Sequence, residues 1–339
     1  FYIKLIFRMK NIFHILLFVS IIYPQDCFEN FSAGWYHSLG LTSDGNVQAW
    51  GGTQNIEGWD SYGETDVPES LTDVIMISGG QFHSIALKSD GSVVTWGDNS
   101  VGQLDIPENL NNVVSISAGR NHSLALKSDG TVVSWGYNQN GETDIPDGLD
   151  NVVSIASSYN TNLALKSNGS VVAWGADSYL VNIPENLTNV IDISIGAYAA
   201  AALLQDGSVI TWGLEPWGGG IVPDGLENVV QVEVGALNIV ALKNDGTLVI
   251  WGVESSSVYN DIPVNLNDII TLSYSYYHIF AQSSSDVYAW GDNWQGQLDI
   301  PECATCPDED EDGICDAEDS CVGVVDECGI CGGDGYYDN

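Results

Sequence analysis

The chain has 339 residues, of which 46 are acidic and 8 are basic, so its formal net charge at pH 7 is −38. A polyanion of this size is repelled by nucleic-acid phosphates and by anionic lipid headgroups, which excludes nucleic acid as a partner and argues against membrane insertion. Hydrophobic residues make up 44% of the chain and only 16% are charged, with 37 Gly and 11 Trp. Disordered acidic chains are poor in aromatic residues, so this chain is predicted to fold.

The first 25 residues have the pattern of a secretory signal peptide. Three basic side chains precede an apolar run over residues 12–22, and Pro24, Gln25 and Asp26 follow it. The run is shorter than the roughly 18–20 residues that a membrane-spanning helix needs. We therefore expect a cleaved signal that starts at Met9 and an exported protein that begins near residue 26. A buried N-terminal helix is the alternative.

A Trp-Gly pair marks a unit that recurs seven times along the chain. The pairs are spaced by 38 to 46 residues and begin at Trp50, Trp96, Trp135, Trp174, Trp212, Trp251 and Trp290. An aliphatic residue followed by proline recurs with the same period and ends at Pro68, Pro107, Pro146, Pro184, Pro223, Pro263 and Pro301. Asp-Gly or Asn-Gly turns form a third register in the first six units, whereas the seventh has Ser285-Asp286 there. Three registers with one period establish an internal repeat of about 39 residues.

The clearest unit contains three strand signals and ends at Pro146. Residues 113–117 form the first strand, and residues 123–127 alternate as the second. Asp129-Gly130 supplies the positive-φ residues of a tight hairpin turn, after which residues 131–135 return as the third strand. The proline then prevents further strand pairing. Each unit is therefore predicted to be a small antiparallel sheet of three strands.

Seven such sheets cannot each bury both faces alone, so they are expected to stack against one another. Radial stacking into a closed ring predicts an all-β fold, a seven-bladed β-propeller with three-stranded blades over residues 26–301. An open β-solenoid is the alternative, and no segment has the pattern of a polar end cap. Each repeated Trp is expected between neighbouring blades. Burying ~150–250 Å² of its ring gives roughly 4–6 kcal/mol before entropy is subtracted.

The unit sequence ISAGRNHSLALKSDGTVVSWGYNQNGETDIP resembles the repeats of the regulator of chromosome condensation family. The resemblance covers residues 28–301 and all seven units, and it implies a seven-bladed propeller. The units are shorter than the four-stranded blades of the nuclear members, which are guanine-nucleotide exchange factors. They are more similar to the three-stranded blades of a secreted bacterial propeller that inhibits β-lactamases. The resemblance therefore implies the fold but not the exchange activity.

One position of the repeat is occupied by histidine in four units. These residues are His37, His83, His122 and His278. A place shared around a ring predicts a structural hydrogen bond. Three of these histidines precede a serine, a pairing that also suggests a nucleophile. Successive strand residues point to opposite faces, however, so adjacent His and Ser cannot form a catalytic pair.

The two residues before this position vary from unit to unit and are rich in aromatic side chains. They lie in the turn between the first two strands, so all seven pairs are predicted to emerge on one face. Large aromatic residues in turns on a rigid scaffold are typical of recognition surfaces. The predicted ligand-binding residues are Trp35, Tyr36, Phe82, Tyr159, Tyr198, Tyr276 and Tyr277. A second variable set follows Trp-Gly and comprises Tyr137, Tyr179, Trp217, Tyr259 and Trp294, with Trp59 and Tyr62 in the first unit. The alternative is that these rings only cap the blade ends.

The segment 302–339 differs in composition, with 13 of the 46 acidic residues and no basic residue. Carboxylates stand at positions 1, 3, 5, 9 and 12 of one loop, with Gly313 at position 6 and the Ile314 carbonyl at position 7. The predicted Ca²⁺ ligands are Asp308, Asp310, Asp312, Ile314, Asp316 and Asp319. Oxygen ligands at this spacing are what Ca²⁺ prefers. The pattern resembles a thrombospondin type 3 repeat, and a solvated acidic linker is the alternative.

The same segment holds six of the seven cysteines. Cys303 with Cys306, and Cys328 with Cys331, also have zinc-ribbon spacing. Disulfides are the better expectation in an exported protein. Since the ends of a closed ring meet, Cys27 is predicted to bond Cys303 or Cys306. One cysteine is left over, and we expect the chain to continue beyond residue 339.

The functional prediction is a secreted, monomeric, non-catalytic propeller that binds a protein or a glycan, with Ca²⁺ stabilising its C-terminal spacer. The metalloprotease motif H-E-x-x-H, the hydrolase motif G-x-S-x-G and a phosphate-binding Gly loop are absent from the sequence. A polysaccharide- or peptide-acting enzyme with its site in the central channel is one alternative. An inhibitor of a secreted hydrolase is another, which only the family resemblance suggests.

Overall fold

The computed structural model describes residues 23–24, 28–52, 62–176, 178–214, 221–264, 266–284 and 286–301. The predicted signal up to residue 22, Cys27 and the whole segment 302–339 lie outside the described residues. The Ca²⁺, zinc and disulfide predictions therefore remain predictions.

The described residues form seven antiparallel sheets, each with an inner, a middle and an outer strand, which we number as blades 1 to 7 in chain order. The inner strands are β2 (Phe28–Ala33), β5 (Val74–Gly79), β8 (Val113–Ala118), β11 (Val152–Ser158), β14 (Val190–Ile195), β17 (Val229–Val234) and β20 (Ile269–Tyr274). The middle strands are β3 (His37–Thr42), β6 (His83–Lys88), β9 (His122–Lys127), β12 (Thr161–Lys166), β15 (Ala199–Leu204), β18 (Asn238–Lys243) and β21 (His278–Ser283). The outer strands are β4 (Val47–Gly51), β7 (Val93–Gly97), β10 (Val132–Gly136), β13 (Val171–Gly175), β16 (Val209–Gly213), β19 (Leu248–Gly252) and β22 (Asp286–Gly291). The prediction of an all-β fold with seven three-stranded blades is confirmed.

Three short elements complete the description. Strand β1 (Tyr23–Pro24) pairs with β22 and makes blade 7 four-stranded, with Tyr23 opposite Val287. Helices α1 (Ser178–Val181) and α2 (Ser257–Asn260) have four residues each and lie in the loops between blades. Tyr23 and Pro24 fall within the predicted signal, so cleavage near residue 26 would leave blade 7 with the three strands β20, β21 and β22.

The ring is closed, because blade 1 contacts blade 7. The inner strands of consecutive blades contact one another, and β2 contacts both β20 and β21. Across this junction the Ala33 amide donates a hydrogen bond to the Ser273 Oγ at 3.1 Å. The Ser38 Oγ and the His278 Nε2 lie 2.9 Å apart. These contacts exclude the open solenoid, because its first and last units do not meet.

The repeated tryptophans are buried between neighbouring blades, as predicted. In blade 3, Trp135 packs against Ile85 and Leu87 of blade 2 and donates its indole N–H to the Gln103 carbonyl at 2.9 Å. Five other repeated tryptophans donate in the same way to the loop that follows the preceding blade. For Trp251 the equivalent loop residue, 219, lies outside the described part. Six indoles thus join two blades by apolar contact and by one hydrogen bond, and Trp251 packs against Ala199, Ala201 and Leu203 of the preceding blade.

The two ends of the ring differ, and we name them the upper and lower faces. The upper face carries the turns between inner and middle strands, together with the loops that leave the outer strands. In blade 3 the Tyr137 amide donates to the Asn121 carbonyl at 2.9 Å, which joins these two parts. The lower face carries the Asp-Gly turns and the first residues of the inner strands, as the hydrogen bond from the Val152 amide to the Gly130 carbonyl shows. Gly130 has a φ of +80°, which the tight turn requires.

Candidate functional site

The upper-face turns arrange their two variable residues in two circles. The first residue of a pair links neighbouring blades: the Gln81 amide donates to the Arg120 carbonyl, and the Arg120 amide donates to the Tyr159 carbonyl. These first residues therefore surround the mouth of the central channel. The second residue lies further out, where its carbonyl accepts a hydrogen bond from the residue after Trp-Gly, as Phe82 accepts from Asp98. The described turns thus place all seven pairs on one face.

Aromatic rings from blades far apart in the chain meet over the channel. Trp35 of blade 1 stacks on Tyr276 of blade 7, with ring centroids 4.0 Å apart. It also stacks on Tyr159 of blade 4, with centroids 5.6 Å apart. Trp35 is only 5% exposed. Among the seven predicted residues, it supports the surface from beneath, whereas the other six are partly exposed.

Arg120 adds a positive charge to this cluster. Its guanidinium carbon lies 5.0 Å from the centre of the Tyr159 ring and 5.7 Å from that of Trp35, within cation–π range. Its Nε donates to the Gln81 Oε1 at 2.9 Å, and one terminal nitrogen donates to the Tyr159 hydroxyl at 3.2 Å. Arg120 was not among the seven predicted ligand-binding residues. It is one of two arginines in the chain and stands at a variable turn position, which was the available signal.

A second group of rings extends the aromatic surface over blades 7, 1 and 2. Tyr276 and Tyr277 meet edge to face with centroids 4.3 Å apart. Phe82 stacks on Tyr36 at 5.4 Å and on Tyr62 at 4.5 Å. Tyr62 belongs to the second variable set, so both variable sets contribute to one surface.

The remaining residues of the second variable set are placed as follows. Trp294 is 82% exposed on the upper face, and Tyr137 is partly buried there. Tyr179 donates its hydroxyl to the Ala197 carbonyl at 3.4 Å. Tyr259 lies in α2, and Trp59 and Trp217 lie outside the described residues.

Tyr276 and Tyr277 stay neutral over the physiological pH range. Burial raises the pKa of the Tyr276 hydroxyl, and the neighbouring Tyr277 and Tyr198 raise it further. Burial also raises the pKa of Tyr277. A neutral phenol both donates and accepts a hydrogen bond, so each ring offers an apolar face and a polar edge to a partner.

The four repeated histidines form hydrogen bonds between blades, which confirms the prediction of a structural role. His37 Nε2 lies 2.9 Å from the Ser84 Oγ of the next blade, and His83 Nε2 lies 3.1 Å from the Ser123 Oγ. His122 bonds to an Asn in place of a Ser, and His278 closes the ring. Burial lowers the pKa of His37, His83 and His278 to about 3. These imidazole rings are therefore neutral, and they join neighbouring blades through hydrogen bonds in the buried interior.

A cavity of about 290 Å³ lies in the channel beneath the aromatic cluster. Serines on the inner strands line it, and five of them, at the fifth position of their strand, accept a hydrogen bond from a backbone amide of the next blade. The pairs are Ser32 with Gly79, Ser78 with Ala118, Ser117 with Ser157, Ser194 with Val234, and Ser273 with Ala33. Two blades depart from this pattern, because blade 4 has Ala156 and blade 6 has Glu233 at that place.

The departure in blade 6 brings the carboxylate of Glu233 into the cavity, which Asp192 of blade 5 also lines. Glu233 accepts hydrogen bonds from the Ser194 Oγ at 3.2 Å and from the Gln231 Nε2 at 2.9 Å. Burial raises the pKa of Glu233 to about 7, and the charge of Asp192 also raises it, although the two hydrogen bonds lower it. Burial also raises the pKa of Asp192. This pair was missed at the sequence level, although the replacement of a repeated Ser by Glu was visible.

Metal binding and membrane crossing find no support within the described residues. No three His, Cys, Asp or Glu side chains group closely enough there to hold a metal ion. No helix of the described part has the length and apolar character that a membrane span needs.

Four units of the chain match a known repeat. The model of the regulator of chromosome condensation (RCC1) repeat matches residues 28–57, 74–103, 113–142 and 152–179, which begin in the first four blades. A search of curated proteins gave no match. The matched repeats and the seven sheets together fit an RCC1-like β-propeller.

Solved structures support the same fold. The CRINKLY WD40 ectodomain of the Arabidopsis thaliana receptor kinase ACR4 has a TM-score of 0.62 at 21% identity, covering 83% of this chain and 100% of that chain. The entire ectodomain of the Physcomitrella patens receptor kinase CR4 has a TM-score of 0.63 at 20% identity, covering 80% of this chain and 74% of that one. Prp20p from Saccharomyces cerevisiae, described with its binding to Gsp1p and histones, has a TM-score of 0.57 at 20% identity, covering 78% and 82%. At these identities the likeness shows the fold alone.

Proposed function

We propose that this chain is a non-catalytic binding propeller whose upper face recognises a protein or a glycan. The observation that carries the proposal is the aromatic surface formed by Tyr36, Phe82 and Tyr62 on one side and Tyr276 with Tyr277 on the other. Rigid rings of this kind give a large contact area at low entropic cost, which is why they are enriched at binding hot spots.

The neighbouring Arg120 refines the chemistry of the partner. It lies against the aromatic cluster and gives this strongly acidic molecule a local positive charge. A partner that combines an apolar or planar group with a carboxylate fits this arrangement, since guanidinium groups bind carboxylates well. A protein partner is the first choice, because an RCC1-like propeller suggests a protein-interaction role and Prp20p is described as binding proteins. A glycan that stacks a sugar ring on the tyrosines is the second.

Export and a Ca²⁺-stabilised C-terminal spacer belong to the same proposal and rest on the sequence pattern. An exported binding module on an acidic spacer would be held at a distance from the surface that carries it. Export is tested by N-terminal sequencing of the secreted protein, and Ca²⁺ binding by calorimetry on the full chain before and after chelation. An N-terminus that retains residues 9–25 in the mature protein would contradict the signal prediction.

The binding face is tested by a triple variant, Tyr36→Ala, Tyr276→Ala and Tyr277→Ala. The partner is first identified with a photo-crosslinking residue at position 277 of the full chain, and glycans are screened on an array in parallel. We expect the triple variant to weaken binding by more than about a hundredfold, since each hot-spot truncation costs about 1–2 kcal/mol. The matched control is Tyr288→Ala, which changes a tyrosine of outer strand β22. Equal affinity of the triple variant would show that the face is wrongly chosen.

Acid–base catalysis in the channel is a second candidate function, which Asp192 and Glu233 favour. A carboxyl with a pKa near 7 both gives and takes a proton at neutral pH. The cavity above which Trp35 and Tyr276 lie is lined by hydroxyl groups that could orient a polar substrate. The test is turnover of polysaccharide and peptide pools by the full chain and by Glu233→Gln. Activity that the substitution abolishes would establish the enzyme, and equal rates would exclude this site.

A further inference from the structure

The lower face carries a repeated set of exposed aliphatic side chains that the upper-face function does not use. They are the second residues of six inner strands: Ile75, Val114, Val153, Ile191, Val230 and Ile270. Their exposed fractions run from 49% for Val114 to 61% for Ile270. Because the inner strands line the channel, these residues lie around its lower mouth. Exposed apolar side chains that recur on one face in this way indicate an interaction site.

The fold exposes these positions but does not require them to be apolar. In every blade the pairing of the inner and middle strands is irregular between the first and third residues of the inner strand, as between Val113 and Ser115. The second residue therefore bulges out of the ladder towards solvent. Blade 1 has Glu29 at this place, and it is exposed. A charged residue is accepted there, so packing does not explain six aliphatic residues.

Acidic side chains surround this aliphatic ring. The exposed acids of the Asp-Gly turns are Asp44, Asp90, Asp129, Asp206 and Asp245. Exposed acids just before the inner strands are Asp73, Asp150 and Asp268. The same face carries four lysines, which are Lys88, Lys127, Lys166 and Lys243. Three of them form ion pairs with Asp129, Asp150 and Asp245 of this face. The rim is therefore negative, with twice as many of these acids as lysines.

We infer that the lower face is a second docking surface, which binds a basic peptide segment with aliphatic or aromatic side chains at its centre. The apolar side chains cover the aliphatic ring, and the flanking lysines or arginines meet the acidic rim. Charge complementarity selects this occupant. A second copy of the chain would bring two acidic rims together, and an anionic bilayer would be repelled in the same way, so both are disfavoured. The site is independent of the upper face.

The test uses fluorescence anisotropy of labelled peptides with the full chain. The first probe has a Leu-Phe-Leu centre flanked by lysines, the second has the same flanks around a Ser-Gly-Ser centre, and the third has the first centre flanked by glutamates. We expect the first probe to bind at least about tenfold more tightly than either of the others. Its affinity should fall as salt is raised, because exposed charges are screened. No binding of the first probe, or equal binding of all three, would overturn the proposal.

Two sets of variants locate the site. Val114→Thr, Val153→Thr and Ile191→Thr together keep the branched Cβ but remove apolar surface, and we expect the affinity for the first probe to fall about tenfold. The control makes the Val-to-Thr change at two exposed loop residues, Val101→Thr and Val264→Thr, and we expect it to leave the affinity for the first probe unchanged. Unchanged affinity of the ring variant would overturn the proposal.

The second set keeps the fold by using residues that other blades already carry. Asp73→Asn and Asp268→Asn copy Asn112 of blade 3, and Asp90→Asn copies Asn168 of blade 4. We expect this triple variant to bind the first probe several-fold more weakly and with a smaller salt dependence. The upper-face variant Tyr36→Ala should bind it normally. If the upper-face change abolishes peptide binding and the lower-face changes do not, the peptide binds the upper face and this inference fails.

Discussion

The two faces of the ring are built from the same repeat but differ in how far the blades have diverged. On the lower face, the Asp-Gly turn and the bulged aliphatic residue recur with few exceptions. On the upper face, the first turn residue is Trp, Gln, Arg, Tyr or Ala, and several of these side chains meet over the channel. Lower-face turns must return the chain at a fixed angle, whereas upper-face turns only need to link neighbouring blades through the backbone. The upper face is thus free to become an asymmetric site.

Both faces depend on the packed interior between neighbouring blades. The largest expected effect on stability is therefore that of Trp135→Ala, which removes a side chain from this interior. We expect a loss of about 3–5 kcal/mol in the free energy of unfolding, because the change leaves a cavity between two blades. Denaturant unfolding followed by fluorescence provides the measurement. The control is Trp294→Ala, which should change stability by less than about 0.5 kcal/mol because its ring is exposed. A loss below about 1 kcal/mol for Trp135→Ala would contradict the wedge role.

Acid should affect the two halves of the molecule differently, with the larger effect beneath the upper face. His37, His83 and His278 have a pKa of about 3 in the fold, below the 6.5 of an exposed histidine. The unfolded chain binds protons that the folded chain does not, so stability is complete above pH 6.5 and falls as the pH drops towards 3. Within that window, each histidine lowers the free energy of unfolding by up to about 1.4 kcal/mol for every pH unit by which the pH falls.

Thermal unfolding between pH 4 and pH 7 measures this acid effect. His83→Asn copies Asn238, which occupies the same position in blade 6. It should flatten the dependence of stability on pH. An unchanged slope would show that the pKa of His83 is the same in the folded and unfolded chain. The carboxylates of the lower-face turns also have a lowered pKa, but they are exposed and contribute weakly.

The serine bonds along the channel should have an intermediate effect. Ser117→Ala removes the acceptor of the Ser157 amide and should cost about 1–3 kcal/mol, because that donor is left without its partner. The measurement is again denaturant unfolding. Ser134→Ala, on outer strand β10, is the matched Ser-to-Ala control and should cost less. Equal costs for the two changes would mean that the inner hydroxyl does not join the blades.

The smallest effect is expected for Asp129→Asn in a lower-face turn. Asp129 accepts hydrogen bonds from the amide and the hydroxyl of Thr131, and Asn168 accepts the same two from Ser170 in blade 4. An unchanged melting temperature is therefore expected at neutral pH. A clear drop would show that the turns need the charge as well as the hydrogen bonds.

The sequence predicted the blades, their three strands, the buried tryptophans and the bonding histidines, because each depends on a local period or on a place shared by all units. It also predicted that the variable turns lie on one face. It did not predict that Trp35 is buried or that Arg120 lies on Tyr159. Trp35 of blade 1 meets Tyr159 three blades away, whereas Arg120 and Tyr159 belong to neighbouring blades. No local pattern in the sequence records which of these side chains meet over the channel.

The tertiary structure alone determined what the closed ring brings together. Closure places Ser38 beside His278, although 240 residues separate them in the chain. It joins the rings of Trp35, Tyr159 and Tyr276 into one surface and places Asp192 and Glu233 in the same cavity. The repeat, which a period in the sequence reveals, fixes each blade. The sites depend on the distance between blades and on desolvation at the axis, and these exist only once the ring has closed.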